Sequence, residues 1–186
     1  MLKLKALLAA LAVAAILPVA ALADPASPSD KANGARACQA LRAPTALGEA
    51  TFKTTYGTNA DKSNAFGKCV SAWTQAEHQN RHAAETACKA EQADAGFAAA
   101  HQGKTFAQFY GTGKKNANAL NRCVQSKRAA ESAADKESVA NAARKCKAER
   151  KRMGDAAFKA AHGTNADKSN AFGRCVSKLA SAKQQS

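Results

Sequence analysis

Large aromatic side chains are scarce in this chain, with one Trp, two Tyr and seven Phe in 186 residues. Much of the remaining hydrophobicity is alanine, which removes little area from water per residue. That inventory argues against one large apolar core and favours several small ones. Units of roughly thirty to forty residues usually need a covalent staple.

Closely spaced cysteines are absent. The six are Cys38, Cys69, Cys88, Cys123, Cys146 and Cys175, and the shortest gap, Cys69 to Cys88, is 19 residues. Structural zinc sites draw on pairs such as C-x-x-C, and so do dithiol redox motifs. Neither pattern is present. An even cysteine count in an exported chain reads as disulfides.

Long apolar runs are absent after the first two dozen residues. Lys3 and Lys5 precede a run from Ala6 to Val19, and Ala21-Leu22-Ala23 offers a small-x-small cleavage site before Asp24. Residues 1–23 therefore read as a secretory signal. The run falls short of the ~20 residues of a spanning helix, so an uncleaved N-terminal anchor is the weaker reading. Cleavage near Ala23 would make the protein secreted or extracytoplasmic, with no integral membrane span left. It would leave 26 basic residues against 14 acidic ones.

Catalytic signatures are lacking as well. His78 and His82 stand four apart, but Gln79 occupies the place where H-E-x-x-H needs its glutamate. Two histidines on a solvated helix face are the simpler reading. His101 is isolated, and His162 stands where other units have tyrosine, which suits packing. Gly111-Thr112-Gly113-Lys114-Lys115 lacks the spacing and the preceding strand of a phosphate loop, and reads as a turn that ends a helix. Nothing marks a nucleophile, base and orienting group as a set. No enzyme activity, cofactor or metal is expected.

The chain does contain a repeat. YGTNADKSNAFGKCVS ends at Ser71 and HGTNADKSNAFGRCVS at Ser177, and from Gly57 and Gly163 onward they differ only at Lys68 and Arg174. A diverged copy, YGTGKKNANALNRCVQS, runs from Tyr110 to Ser126. Phe52, Phe106 and Phe158 lie five residues before the unit's glycine, and Phe66, Leu120 and Phe172 lie nine after it. Cys69, Cys123 and Cys175 lie twelve after it, and Cys38, Cys88 and Cys146 lie upstream. Matches of this length with fixed cysteines indicate internal duplication.

The residues Tyr56 to Val70, Tyr110 to Val124 and His162 to Val176 resemble the cysteine-bracketed repeats, ending in NAFGKCV, of secreted proteins of actinobacterial type. The middle copy departs at Gly113, Lys114, Lys115 and Asn121. The resemblance covers about half of the chain after the signal. It implies export and repetition and brings no activity or ligand.

Within a unit, Asp155 to His162 reads as a short helix. Gly163 is expected as its left-handed stop. Thr164 or Asn165 is expected to cap the next helix, with Asp167 in its first turn. Phe172, Cys175 and Val176 share one helical face by their spacing, and Phe158 should pack on Phe172. The pairing Cys38–Cys69, Cys88–Cys123 and Cys146–Cys175 is proposed because each pair brackets one unit, out of fifteen arrangements. The segments between Gly67 and Gly96, and from Lys114 to Met153, have no Pro or Gly and are rich in strong helix formers. Each reads as one long helix.

The expected fold is all-α, with three disulfide-stapled helical units joined by long helices that either pack as an antiparallel bundle, the favoured arrangement, or stand apart as semi-rigid spacers. The expected partition is 1–23 signal, 24–36 flexible linker, 37–72 first unit, 73–85 connector, 86–126 second unit, 127–143 connector, 144–178 third unit and 179–186 tail.

One surface feature bears on function. Arg144, Lys145, Lys147, Arg150, Lys151 and Arg152 surround Cys146, with Glu149 the only acid among them. On a helix they would cover most of the circumference. Such charge attracts polyanions, while aromatic platforms for single-strand stacking are scarce nearby. The simpler reading is a solubilising face. The functional expectation is an exported, non-catalytic protein that binds an anionic polymer of the envelope or matrix. The alternatives are an exported hydrolase or accessory factor with a site formed only in three dimensions, and a nucleic-acid-binding helical protein.

Overall fold

In the computed structural model, residues 24–113 and 115–182 are described, so the signal reading of residues 1–23 lies outside them. The described residues form eight helices and no strand. These are α1 (Pro28–Arg42), α2 (Gly48–Tyr56), α3 (Ala65–Ala93), α4 (Phe97–Ala100), α5 (Phe106–Tyr110), α6 (Ala119–Met153), α7 (Asp155–His162) and α8 (Ala171–Ala182). The fold is all-α. Each segment without Pro or Gly carries one long helix, α3 in the first and α6, which begins only at Ala119, in the second.

Helix α1 corrects the flexible entry expected over residues 24–36. Pro28 sits at its first position, where a missing N–H costs nothing. Ser27 and Asp30 close a capping box, with the Ser27 N–H donating to Asp30 at 2.8 Å and the Asp30 N–H to Ser27 Oγ at 3.2 Å. Gly34 then lets α1 press against α3, since a Cβ there would lie 2.8 Å from the Thr74 backbone nitrogen.

Helices α1, α3, α6 and α8 run antiparallel in sequence order. Cys38–Cys69 joins α1 to α3, Cys88–Cys123 joins α3 to α6, and Cys146–Cys175 joins α6 to α8, with Cα–Cα distances of 5.9, 6.0 and 6.0 Å. Contacts more than a turn away from the first and third disulfides continue these antiparallel pairings. Asp30 meets Arg81 and Ser138 meets Ala180. The short helices α2, α4 with α5, and α7 close the three corners.

The corners are not three separate cores. The first and third share one, in which Leu41, Phe52 and Trp73 join Ala142, Phe158, Phe172 and Val176. The second stands apart, around Phe97, Phe106, Ala119 and the Cys88–Cys123 disulfide. Chain direction explains this. An antiparallel four-helix run puts alternate corners at the same end of the bundle.

Each corner is held by the same clasp. The side chains of Asn64, Asn118 and Asn170 accept from the N–H of Thr58, Thr112 and Thr164 at 3.0 Å in each unit. The same amides donate to those threonine hydroxyls at 2.8, 2.8 and 2.7 Å. Asn170 thus precedes α8, and the cap expected at Thr164 or Asn165 lies six or five residues later. Asp167 is not in the first turn. Its Oδ1 accepts from the Ser169 N–H at 3.1 Å inside the loop.

The unit glycine also works differently from the expected left-handed stop. Gly57, Gly111 and Gly163 have φ of −71°, −74° and −76°. The left-handed residues are Lys62, Asn116 and Lys168, at φ 59°, 47° and 56°. Their Cβ atoms press on the glycines, where an added Cβ would lie 2.6, 2.4 and 2.6 Å away. Glycine is required there for close approach, not for its own backbone angle.

Candidate functional site

The six cations around Cys146 do not encircle α6. Ala142, Cys146, Glu149 and Met153 turn toward the interior, and the helix spends that side on the core. Arg144, Lys145, Lys147, Lys151 and Arg152 are exposed, and helical spacing puts them on one outward face. Arg150 lies at its edge and forms an ion pair with Asp155 at the start of α7. Arg144 donates to Asn141, one turn back. Among the described residues, Lys145, Lys147, Lys151 and Arg152 enter no ion pair.

The turn from α6 into α7 shapes that face. Gly154, at φ 83°, ends α6 and starts α7 without a side-chain cap. Arg144, Lys147, Ala148, Arg150, Lys151 and Asp155 line a shallow depression of about 600 Å3. Four of the six sequence-predicted cations thus share one recess, and Lys145 and Arg152 flank it on the outer face. Part of this charge has a structural use, because cations in the last turn of α6 complement its negative end.

A second charged site was not legible in the sequence. Asp30 and Glu77 are 0% and 2% exposed. Arg128 on α6 bridges them, donating to Asp30 at 2.8 Å and to Glu77 at 3.0 Å. Ser132 donates to Glu77 at 2.6 Å, and Arg81 reaches Asp30 at 3.4 Å. His78 Nδ1 lies 3.6 Å from Asp30, so His78 faces the interior and only His82 keeps the expected solvated position. Burial pushes the Asp30 carboxyl up, but Ser27, Arg128 and Arg81 outweigh it and hold the group below the usual carboxylate range. The carboxylates are saturated by donors, and the cluster ties α1, α3 and α6 together at mid-bundle.

The corners carry a third polar feature. Tyr110 donates to Glu91 at 2.9 Å, and His162 Nε2 meets Glu149 at 3.1 Å. The first unit has Leu41 in place of the glutamate, and the Trp73 ring N–H donates to Tyr56 Oη at 3.0 Å instead. Burial pushes the Tyr56 hydroxyl up to about 12, against the Trp73 hydrogen bond that lowers it. Glu149, His162 and Cys175 lie close enough to suggest a metal set. The Cys175 sulfur is committed to Cys146, which leaves two ligands. His162 also packs on Phe158, with ring centroids 4.6 Å apart. His101 stacks on Phe97 at 3.8 Å.

Gly111 and Thr112 lie in the second corner's clasp, with Gly111 packed under Asn116 and Thr112 bonded to Asn118. Three disulfides place the chain in an oxidising, extracytoplasmic environment. Among the described residues no helix is long and apolar enough to cross a membrane. No family model, no curated protein and no solved structure matches the chain.

Proposed function

We propose that the protein is secreted after cleavage near Ala23 and acts by binding an anionic polymer of the envelope or matrix through the outward face of α6. The observation that carries this reading is the set Lys145, Lys147, Lys151 and Arg152, exposed and without an ion pair among the described residues. Arg144 and the recess before α7 extend it. A stapled bundle presents these charges on a fixed helix, so little ordering entropy is lost when a polymer settles across them. Binding releases the polymer's counterions and is therefore strongly salt-dependent.

The test compares two variants of equal charge. One replaces Arg144, Lys147, Lys151 and Arg152 with Gln. The other replaces Lys31, Lys68, Lys89 and Arg122, which are exposed elsewhere. Titration with a polyphosphate and a polycarboxylate across a salt series should show sharp weakening and a shallower salt slope in the first variant only. Equal small losses in both would mean generic charge attraction and would end the proposal.

A further inference from the structure

The packing between the first and third units is one-sided. The first unit's α2 lies on the third unit's α8, where Gly173 admits the α2 backbone. A Cβ at Gly173 would sit 2.4 Å from the Thr55 carbonyl oxygen. Among the described residues, α7 makes no such close approach at the start of α3. At Gly67, the counterpart of Gly173, an added Cβ would meet nothing within 4 Å.

Both halves of that second contact are nevertheless present and open. On the receiving side, Gly67 is exposed and Phe66 and Val70 are half-buried, while Gly173 is half-buried and Phe172 and Val176 are buried. The surrounding sequence is the same in the two units apart from Lys68 and Arg174. On the donating side, Ala160 and Ala161 of α7 stand where α2 has Thr54 and Thr55. The alanines are exposed and the threonines half-buried. The middle unit has neither half, since Asn121 replaces the glycine and Phe109 the small residue.

We infer that copies of this chain associate head to tail, with α7 of one copy docking on the Gly67 face of α3 in the next. The docking repeats between chains the contact that α2 and α8 make within one. Charge agrees with that register. Inside the chain, Ser169 holds the Asp167 carboxyl below its usual range and the nearby Lys62 adds to the effect. The corresponding pair between copies is Lys168 with Asp61. In this head-to-tail arrangement each copy's unused half takes a further copy, so the contact builds rings or filaments. This inference is independent of the polyanion reading.

Sedimentation of the mature, oxidised chain tests it without polyanion, at salt high enough to screen long-range attraction. The wild-type mean mass should rise with concentration beyond a dimer. Gly67→Asn has room in the single chain, so its melting temperature should hold, while association weakens about tenfold or more through overpacking. Ala160→Gln with Ala161→Gln should do the same from the other side. An equimolar mixture of the two variants should form a dimer and stop, because each retains one working half. A wild type that stays monomeric, a Gly67→Asn that associates normally, or a mixture that stays monomeric would each overturn the inference.

Discussion

Arg128 on α6 donates to Asp30 on α1 at 2.8 Å, across 98 residues of sequence. The bond closes a cluster that neither helix could satisfy alone. Asp30 is fully buried, and its other donors come from Ser27 and from Arg81 on α3. The first helix is therefore fixed by a long-range ion pair as well as by its disulfide.

Breaking one partner should cost more than removing the cluster. Arg128→Met leaves two buried carboxylates short of a cation, a loss of about 3–5 kcal/mol. The triple change Arg128→Met, Asp30→Asn and Glu77→Gln removes the charges together and should cost less. Denaturant unfolding of both variants checks this. A single variant as stable as wild type would show that the cluster contributes nothing.

The same carboxylate sets an acid limit. Asp30 titrates below its ordinary 3.8 in the folded chain, so the unfolded chain binds its proton first as pH falls. Its contribution is fully present well above 3.8 and is lost as pH drops through the folded value. Melting temperature should therefore fall from about pH 4 downward, and Asp30→Asn should flatten that part of the curve. Tyr56 works in the opposite direction. Its hydroxyl is raised to about 12 from 10.0, so its contribution is present below pH 10.0 and is lost as pH climbs toward 12. Tyr56→Phe should remove that alkaline loss in the same melting series.

Glycines of one repeat should differ in what they tolerate. Gly163→Ala drives a Cβ to 2.6 Å from Lys168 Cβ in the loop and 2.7 Å from the Lys159 oxygen of α7. A loss of about 1–3 kcal/mol follows from overpacking. Gly67→Ala meets open space and replaces glycine by a better helix former, so it should be neutral or slightly stabilising. Thermal melts of the two variants separate a packing role from simple helix propensity.

Local signals in the sequence were enough for the long helices, for α7 and for Phe158 against Phe172, whose rings lie 6.3 Å apart. The start of α1 was also written locally, as Ser27-Pro28-Ser29-Asp30, but the two prolines before Asp30 read as an irregular entry. The clasp had a signal too, a threonine and an asparagine six apart in all three units. The role of Gly173 depends on which backbone arrives from elsewhere, here that of Thr55, which spacing does not encode. The ionic cluster is illegible for the same reason, because Asp30, Glu77 and Arg128 are joined only by tertiary packing. Of the six cations, the sequence shows the density, and the fold decides that Arg150 turns to Asp155 while the rest face outward.

The three disulfides should not be equivalent. By the chain-entropy model each closes a loop worth about 3–4 kcal/mol, so sequence separation alone ranks them together, at 31, 35 and 29 residues. Core sharing separates them. The Cys88–Cys123 corner packs only on itself, around Phe97 and Phe106, whereas the other two corners support each other through Phe52, Phe158 and Phe172. Replacing Cys88 and Cys123 with Ala should therefore open residues 94–118 locally, with fast amide exchange there and protection kept in α1 and α8. Replacing Cys38 and Cys69 should lower protection in the third corner as well as the first, because α2 rests on α8. Hydrogen exchange on both variants measures this. Exchange confined to residues 43–64 in the second variant would mean that the shared core does not couple the first and third corners.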